Sequence, residues 1–261
     1  MKDPVRHLRL FVFNILVFNP FGIVFMVILG IETATERLSA SLLLDGSAVL
    51  ERNEDSRSSH CELLAQFVME LAKEAGIGLP EIDCIAVSVG PGSFTGLRIG
   101  IATAMGLAFG LGVETCGVST LAALAFETGC PGKLVCPLID AKRSEAYAAL
   151  YRTGDGFPET VIEPAAIPVT ELSALLAGEH EPITITGPGA EKFRPILESA
   201  GGKQLTFIDR ESAKPSAAAI ARLGLLLFKS GESSNPAELK PVYLRRSDAE
   251  LVKKKHSIFT E

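Results

Sequence analysis

This chain repeats itself. Ile28–Gly46 reads ILGIETATERLSASLLLDG, and Cys136–Gly154 reads CPLIDAKRSEAYAALYRTG. Each is an apolar run ending in an acid, Glu32 or Asp140, then a short polar turn, a second run and a glycine, Gly46 or Gly154. The register from acid to glycine is gapless. Leu38, Ala40 and Leu42, and their counterparts Ala146, Ala148 and Leu150, alternate as expected of strands with one buried face. A second parallel follows in the same order: VSVGPG at Val87–Gly92 and ITGPG at Ile185–Gly189 each lead a strand through Gly-Pro-Gly towards a helix. Each half therefore reads strand–strand–strand–helix–strand–helix.

The first half's helices fall at Ser58–Ala75 and Thr95–Leu111. Leu63, Leu64, Phe67, Val68 and Leu71 recur at helical spacing on the first. The second is rich in Ala and Gly, whose small side chains shorten the distance to a neighbouring helix. A helix over Pro215–Lys229 either closes the second half or crosses back to the first. Turn residues cluster at Thr128–Lys133, the expected hinge. Two such halves facing each other across a cleft describe a duplicated α/β fold of the actin/sugar-kinase/Hsp70 (ribonuclease H-like) type, with a mixed five-stranded sheet in each lobe. The expected boundaries are an extension over 1–25, lobes at 26–130 and 131–246, and a basic tail at 247–261. A chain of 261 residues accommodates two such units.

Residues 8–31 are apolar enough to suggest a membrane segment. Asn14, Asn19, Pro20 and Gly22 interrupt the run, no small-residue cleavage site follows, and it flows directly into the first strand. Met26 stands immediately before that strand, so the expectation is a native start there, with no membrane anchor. A net charge of −6 argues against an autonomous nucleic-acid binder, although a subunit can borrow a partner's basic surface. The 5 cysteines are odd in number, widely spaced and without CxxC, which reads as reduced thiols in a cytoplasmic protein. The 4 histidines show no HExxH or HxxxH, so no protein-built metal site is expected.

Gly90-Pro-Gly-Ser-Phe-Thr-Gly96 leaves a strand and enters a helix, as a phosphate cradle would. It lacks the lysine of a Walker loop, and Pro91 has no N–H to offer. Two readings stand. Gly90, Gly92 and Ser93 contact a phosphate at the helix start, with Glu32, Thr33 and Asp140 across the cleft; or the glycines only make a tight turn. Glu32 and Asp140 likewise either hold a hydrated Mg²⁺ or form a salt-bridged cleft wall, with Lys142 and Arg143 available to Glu145. These residues define the enzymatic alternative, an ATP-dependent phosphotransferase.

Taken in order, ILGIETATERLSASLLLDG, SSHCELL, SVGPGSFTGLRIGIATAMGLA, PLIDAKRSEAYAAL and PVYLRR resemble the TsaB (YeaZ) family, over about Met26 to Lys255. GPGSFTGLRIG is the most specific piece; the ordered set is more specific than any one motif. The resemblance implies a superfamily shared with TsaD, the catalytic subunit. With TsaE these proteins take part in threonylcarbamoylation of the adenosine beside the anticodon, in tRNAs that read codons starting with A. TsaD-like catalysts hold a metal through HxxxH on the helix after the fifth strand. The corresponding Val118–Leu124, VSTLAAL, has no histidine, which also argues against an M22-type metalloprotease.

The resemblance therefore implies a non-catalytic scaffold with no cofactor of its own, unless ATP or ADP binds at the joint surface. It implies pairing with TsaD through the two first-half helices as a four-helix bundle, contact with TsaE, tRNA reached only through the complex, and a possible homodimer alone. The expected contacts are Leu64, Phe67, Val68 and Leu71 on the first helix and Ile101, Ala104, Met105 and Ala108 on the second. About half of these should instead face the core. Charged residues at Phe67 and Leu71 are expected to break association and leave the fold intact. His60, where the family often has HSE and this chain has HCE, reads as a cap or surface contact. Lys253–Lys255 reads as a solvated tail.

Overall fold

A computed structural model describes residues 26–55, 60–201, 204–209 and 213–245. The expected extension 1–25, the tail from 247 onwards and the His60 side chain lie outside the described parts. The first half runs β1 (Val27–Glu32), β2 (Arg37–Leu44), β3 (Ala48–Asp55), α1 (His60–Ala75), β4 (Cys84–Gly90), α2 (Phe94–Leu111), β5 (Glu114–Ser119) and α3 (Thr120–Glu127). The second runs β6 (Leu134–Lys142), β7 (Glu145–Arg152), β8 (Glu159–Pro168), α4 (Val169–Ala177), β9 (Ile183–Thr186), α5 (Ala190–Gly201), β10 (Leu205–Phe207) and α6 (Ala217–Ser230).

The repeat read in the sequence is a repeat in space. One sheet has the order β3-β2-β1-β4-β5; the other, read from its far end, is β8-β7-β6-β9-β10. In both, the first two strands pair antiparallel and the fourth joins the first in parallel. Each half carries the fifth strand expected of its sheet, and a third helix: α6 falls within the helix read over Pro215–Lys229, while α3 lies beyond the repeat pattern. The parallel stops at the hairpin glycine. β2 and β3 are joined by a tight turn with Gly46 at φ +70°, whereas β7 and β8 are joined by the longer segment 153–158.

β1 and β4 read as near-continuous apolar runs because each is buried on both faces. β2 alternates, yet it too is buried on both faces. Leu38, Ala40 and Leu42 face α1 and α2, while Leu43 packs with α6 and Ser39 accepts from the Ala217 N–H at 3.1 Å. The expectation of one buried face fails because α6 crosses back from the second half onto the first sheet. A lobe spanning 131–246 is corrected accordingly. α3 packs the other way: Leu121–Ala125 join Val135, Ile139, Ala149 and Tyr151 of the second sheet in one cluster with Ile220 and Leu223 of α6. The two crossed helices make the space between the sheets a continuous core.

α6 lies directly on β1 and β4 because small residues line the contact. A Cβ at Gly30 would collide with the Ala217 carbonyl and approach Ala221 Cβ to 2.9 Å; one at Gly224 would collide with Ala86. Replacing Gly30 by Val should destabilise the fold by about 3 kcal/mol or more, since the obstacle is largely helix backbone that cannot step aside. Gly106, mid-α2 with open space around it, is the control. Gly106→Ala should be neutral or stabilise by up to ~1 kcal/mol. Urea denaturation midpoints measure both.

Candidate functional site

The glycine loop is filled by the chain's own first turn. Ser93 caps α2 by accepting from the Gly96 N–H at 3.3 Å, and its own N–H donates to the Ala34 carbonyl at 2.6 Å. The Thr33 hydroxyl donates to the Gly96 carbonyl at 2.8 Å. A Cβ at Gly92 would strike Ala34, and one at Gly96 or Gly100 would strike Thr33. These glycines let the β1–β2 turn lie flat on α2. Gly90, at φ +115°, has Val242 O within 2.7 Å of the place a Cβ would take. The phosphate contacts expected of Gly90, Gly92 and Ser93 are corrected: backbone and side chains of 33–34 and 242 occupy that space.

Glu32 and Thr33 are fully buried. Glu32 Oε1 accepts from the Ala34 N–H at 2.5 Å; Oε2 has no partner among the described residues. Burial pushes the carboxyl up to about 8, against the Ala34 N–H and the Ser88 hydroxyl, with Glu127 adding to the rise. Burial therefore favours its neutral form at neutral pH. Asp140 is half-buried and held by Lys192 Nζ at 2.8 Å, the Lys142 N–H at 2.9 Å and Lys142 Nζ at 3.2 Å. Burial opposes its charge, but the Lys192 and Lys142 hydrogen bonds outweigh this and hold it below the usual carboxylate range. The salt-bridged wall is therefore what forms at Asp140. Glu145 pairs with Arg245, 3.5 Å away, a partner that lies 100 positions along the chain.

The helical contacts expected for a partner turn inward. Leu64, Phe67, Val68, Leu71, Ile101, Ala104 and Ala108 are buried in the first lobe's core; only Met105 is partly exposed. They are corrected to core residues, and charges at Phe67 and Leu71 would break the fold rather than an interface. The outward faces carry other residues. Met69 on α1 and Phe109 on α2 are each 58 % exposed, with Ala65, Ala102, Gly106 and Gly110 open beside them. By length and composition α2 could cross a membrane, yet a third of it is buried against the sheet. An apolar periodicity fixes the stripes of a helix but not which of two apolar stripes meets the core.

The closing motif Pro241–Arg245 spans the two lobes. The Val242 N–H donates to the Val89 carbonyl at 2.7 Å, extending the end of β4. Tyr243 stacks on Phe94 with ring centroids 4.7 Å apart, Arg98 lies 3.8 Å over the same ring, and Arg98 Nε donates to Tyr243 Oη at 3.2 Å. Arg245 Nη1 then donates to the Ala141 carbonyl in β6 at 2.6 Å. A cavity of about 440 Å³ lies at the hinge, lined by Glu127, Cys130, Thr153, Asp155 and Arg222 among others. Sequence reading passed over these residues; only the Gly-Pro cluster beside them pointed there. Val118–Leu124 runs from the end of β5 into α3, the helix after the fifth strand, with Ser119 as its cap.

A family model described as "TsaD: tRNA N6-adenosine threonylcarbamoyltransferase" matches residues 53–252. The tRNA threonylcarbamoyladenosine biosynthesis protein TsaB of Escherichia coli is 33 % identical over 234 residues, covering 86 % of this chain and 96 % of that protein. The chain belongs to the TsaB family. The Bacillus subtilis TsaB is 27 % identical over 225 residues, with the same coverage of 86 % and 96 %. The solved structure of YeaZ from Pseudomonas aeruginosa superposes with a TM-score of 0.74 at 28 % identity, over 84 % of this chain and 100 % of that one.

The carboxyls give a pH signature. Glu127 is raised to about 6 by burial, countered by the Ser216 hydroxyl; Glu32 is raised to about 8. Both bind a proton more tightly folded than unfolded, so their stabilisation is present below pH ~4.5 and is lost as pH rises through the folded values. Glu127's share is spent by pH 6, leaving Glu32 to govern the interval from 6 to 8. Thermal midpoints should fall across that interval in the wild type, and Glu32→Gln should flatten the decline.

Proposed function

We propose that this TsaB-family chain acts in tRNA threonylcarbamoyladenosine formation as a non-catalytic docking subunit for TsaD. The single observation that carries the reading is a pair of bulky apolar side chains on the outward sides of α1 and α2, Met69 and Phe109, each 58 % exposed. α2 is 18 residues long, which makes a face about 27 Å in length. The two helices lie side by side, and small residues at 65, 102, 106 and 110 let a partner's helices approach closely. Two helices of a homologous subunit laid against these would complete a four-helix bundle. A second copy of this chain would use the same face when TsaD is absent.

The interior supports the same reading. A protonated Glu32 and a glycine loop packed by Thr33 and Ala34 leave little for phosphoryl transfer, so a nucleotide would need surface contributed by the partner. TsaE and tRNA would meet the assembled complex in the cytoplasm.

Met69→Glu together with Phe109→Glu should cut co-purification with TsaD at least tenfold, because each puts a charge into a desolvated contact. The isolated variant should melt within a few degrees of wild type, since both side chains are exposed. Undiminished co-purification would sink the interface. In a reconstitution with TsaD, TsaE, tRNA and threonylcarbamoyl-adenylate as the donor, omitting this chain should stop modification; an unchanged rate would remove the role.

A further inference from the structure

The β6–β7 hairpin displays a cationic surface on a chain whose net charge is −6. Lys142, Arg143 and Ser144 form the turn, all with positive φ, at 66°, 53° and 61°. Turns of this hand are ordinarily built from Gly and Asn, and each other residue costs about 1 kcal/mol or more. Here a lysine and an arginine occupy them, exposed at the tip. Lys192, in the first turn of α5, reaches the same place through Asp140, and the strap brings Arg245 to the other flank through Ala141 and Glu145. The side chains of Lys142 and Lys192 remain 75 % and 51 % exposed. Four cations thus stand around two carboxylates, while the nearby Glu191 is turned to Arg194. Two residues upstream of Arg245, Tyr243 is 41 % exposed.

We infer that this hairpin surface binds the phosphate backbone of a structured RNA, and so that the tRNA touches this subunit directly. Cations spread along the β6–β7 turn, the start of α5 and the strap suit a line of phosphates better than one small anion, and the exposed edge of Tyr243, whose ring stacks on Phe94, is a common kind of companion to RNA contacts. An acidic protein would meet the same charges without using the ring. The cations stand on the β6–β7 turn, α5 and the strap, on elements other than the α1 and α2 that carry Met69 and Phe109.

The test is fluorescence anisotropy of a labelled tRNA transcript with the full chain over a NaCl series. Wild type should bind, weakening with salt. Lys142→Asn with Arg143→Gly suits the backbone while removing both charges. It should weaken binding roughly tenfold or more and lower the log–log salt slope by about two, with an equal or higher melting temperature. Lys192→Gln should act in the same direction, and Lys229→Glu, on the last turn of α6, should not. Absent binding, or a double variant that binds like wild type, overturns the inference. So does loss of binding on truncation after Arg246 that the double variant does not reproduce, which assigns it to the tail. ATP or inorganic phosphate competing at lower concentration than tRNA would make it a small-anion site; poly-L-glutamate competing equally per charge would make it a surface for acidic protein. The double variant should keep co-purifying with TsaD, whereas Met69→Glu/Phe109→Glu should lose TsaD and keep RNA, so the two readings fail separately.

Discussion

The Thr33 hydroxyl on the Gly96 carbonyl, with Ser93 N–H on the Ala34 carbonyl, is the contact around which the first lobe is arranged. It seats the turn after β1 in the groove that Gly92, Gly96 and Gly100 open along α2. Once that groove is full, Glu32 is sealed and becomes protonated, α2 is fixed against the sheet, and its other side is left to water. A site that has the spacing of a ligand loop therefore serves as internal packing.

Much of the fold was legible in the sequence because it is a repeat. Gapless correspondence from Glu32 to Gly46 and from Asp140 to Gly154 carries strand order and lobe number with it, and the two sheets share one topology. The crossing of α6 was one of two open readings of Pro215–Lys229, and that of α3 was not legible. An amphipathic helix shows that it has a face to bury, not which sheet will receive it. Gly30 and Gly224 were the available signal, but a glycine in a strand or helix does not say which neighbour presses on it.

The candidate site was legible at the level of elements and not of side chains. The two helices of the first half were legible as elements, yet Leu64, Phe67 and Ala104 point inward. The strongest apolar residues are those that the sheet claims first. Met69 and Phe109, lone bulky groups among small or polar neighbours, were the ones left over. For Asp140 the salt-bridged wall was one of two open readings and is the one that forms, although Lys192, distant in sequence, is its nearest partner. Spatial partners of that kind have no periodicity to betray them.

The crossing of α6 sets a schedule for synthesis. The face of the first sheet that holds Gly30, Ser39 and Ala86 is covered by Ala217–Ser230, near the far end of the chain. While the polypeptide emerges from the ribosome, β1, β2 and β4 can pair and receive α1 and α2, but their other face stays wet until α6 is released. Completion waits on contacts between residues almost two hundred positions apart, the kind that form slowly and expose sticky intermediates. The nascent first lobe is thus a natural client for chaperones.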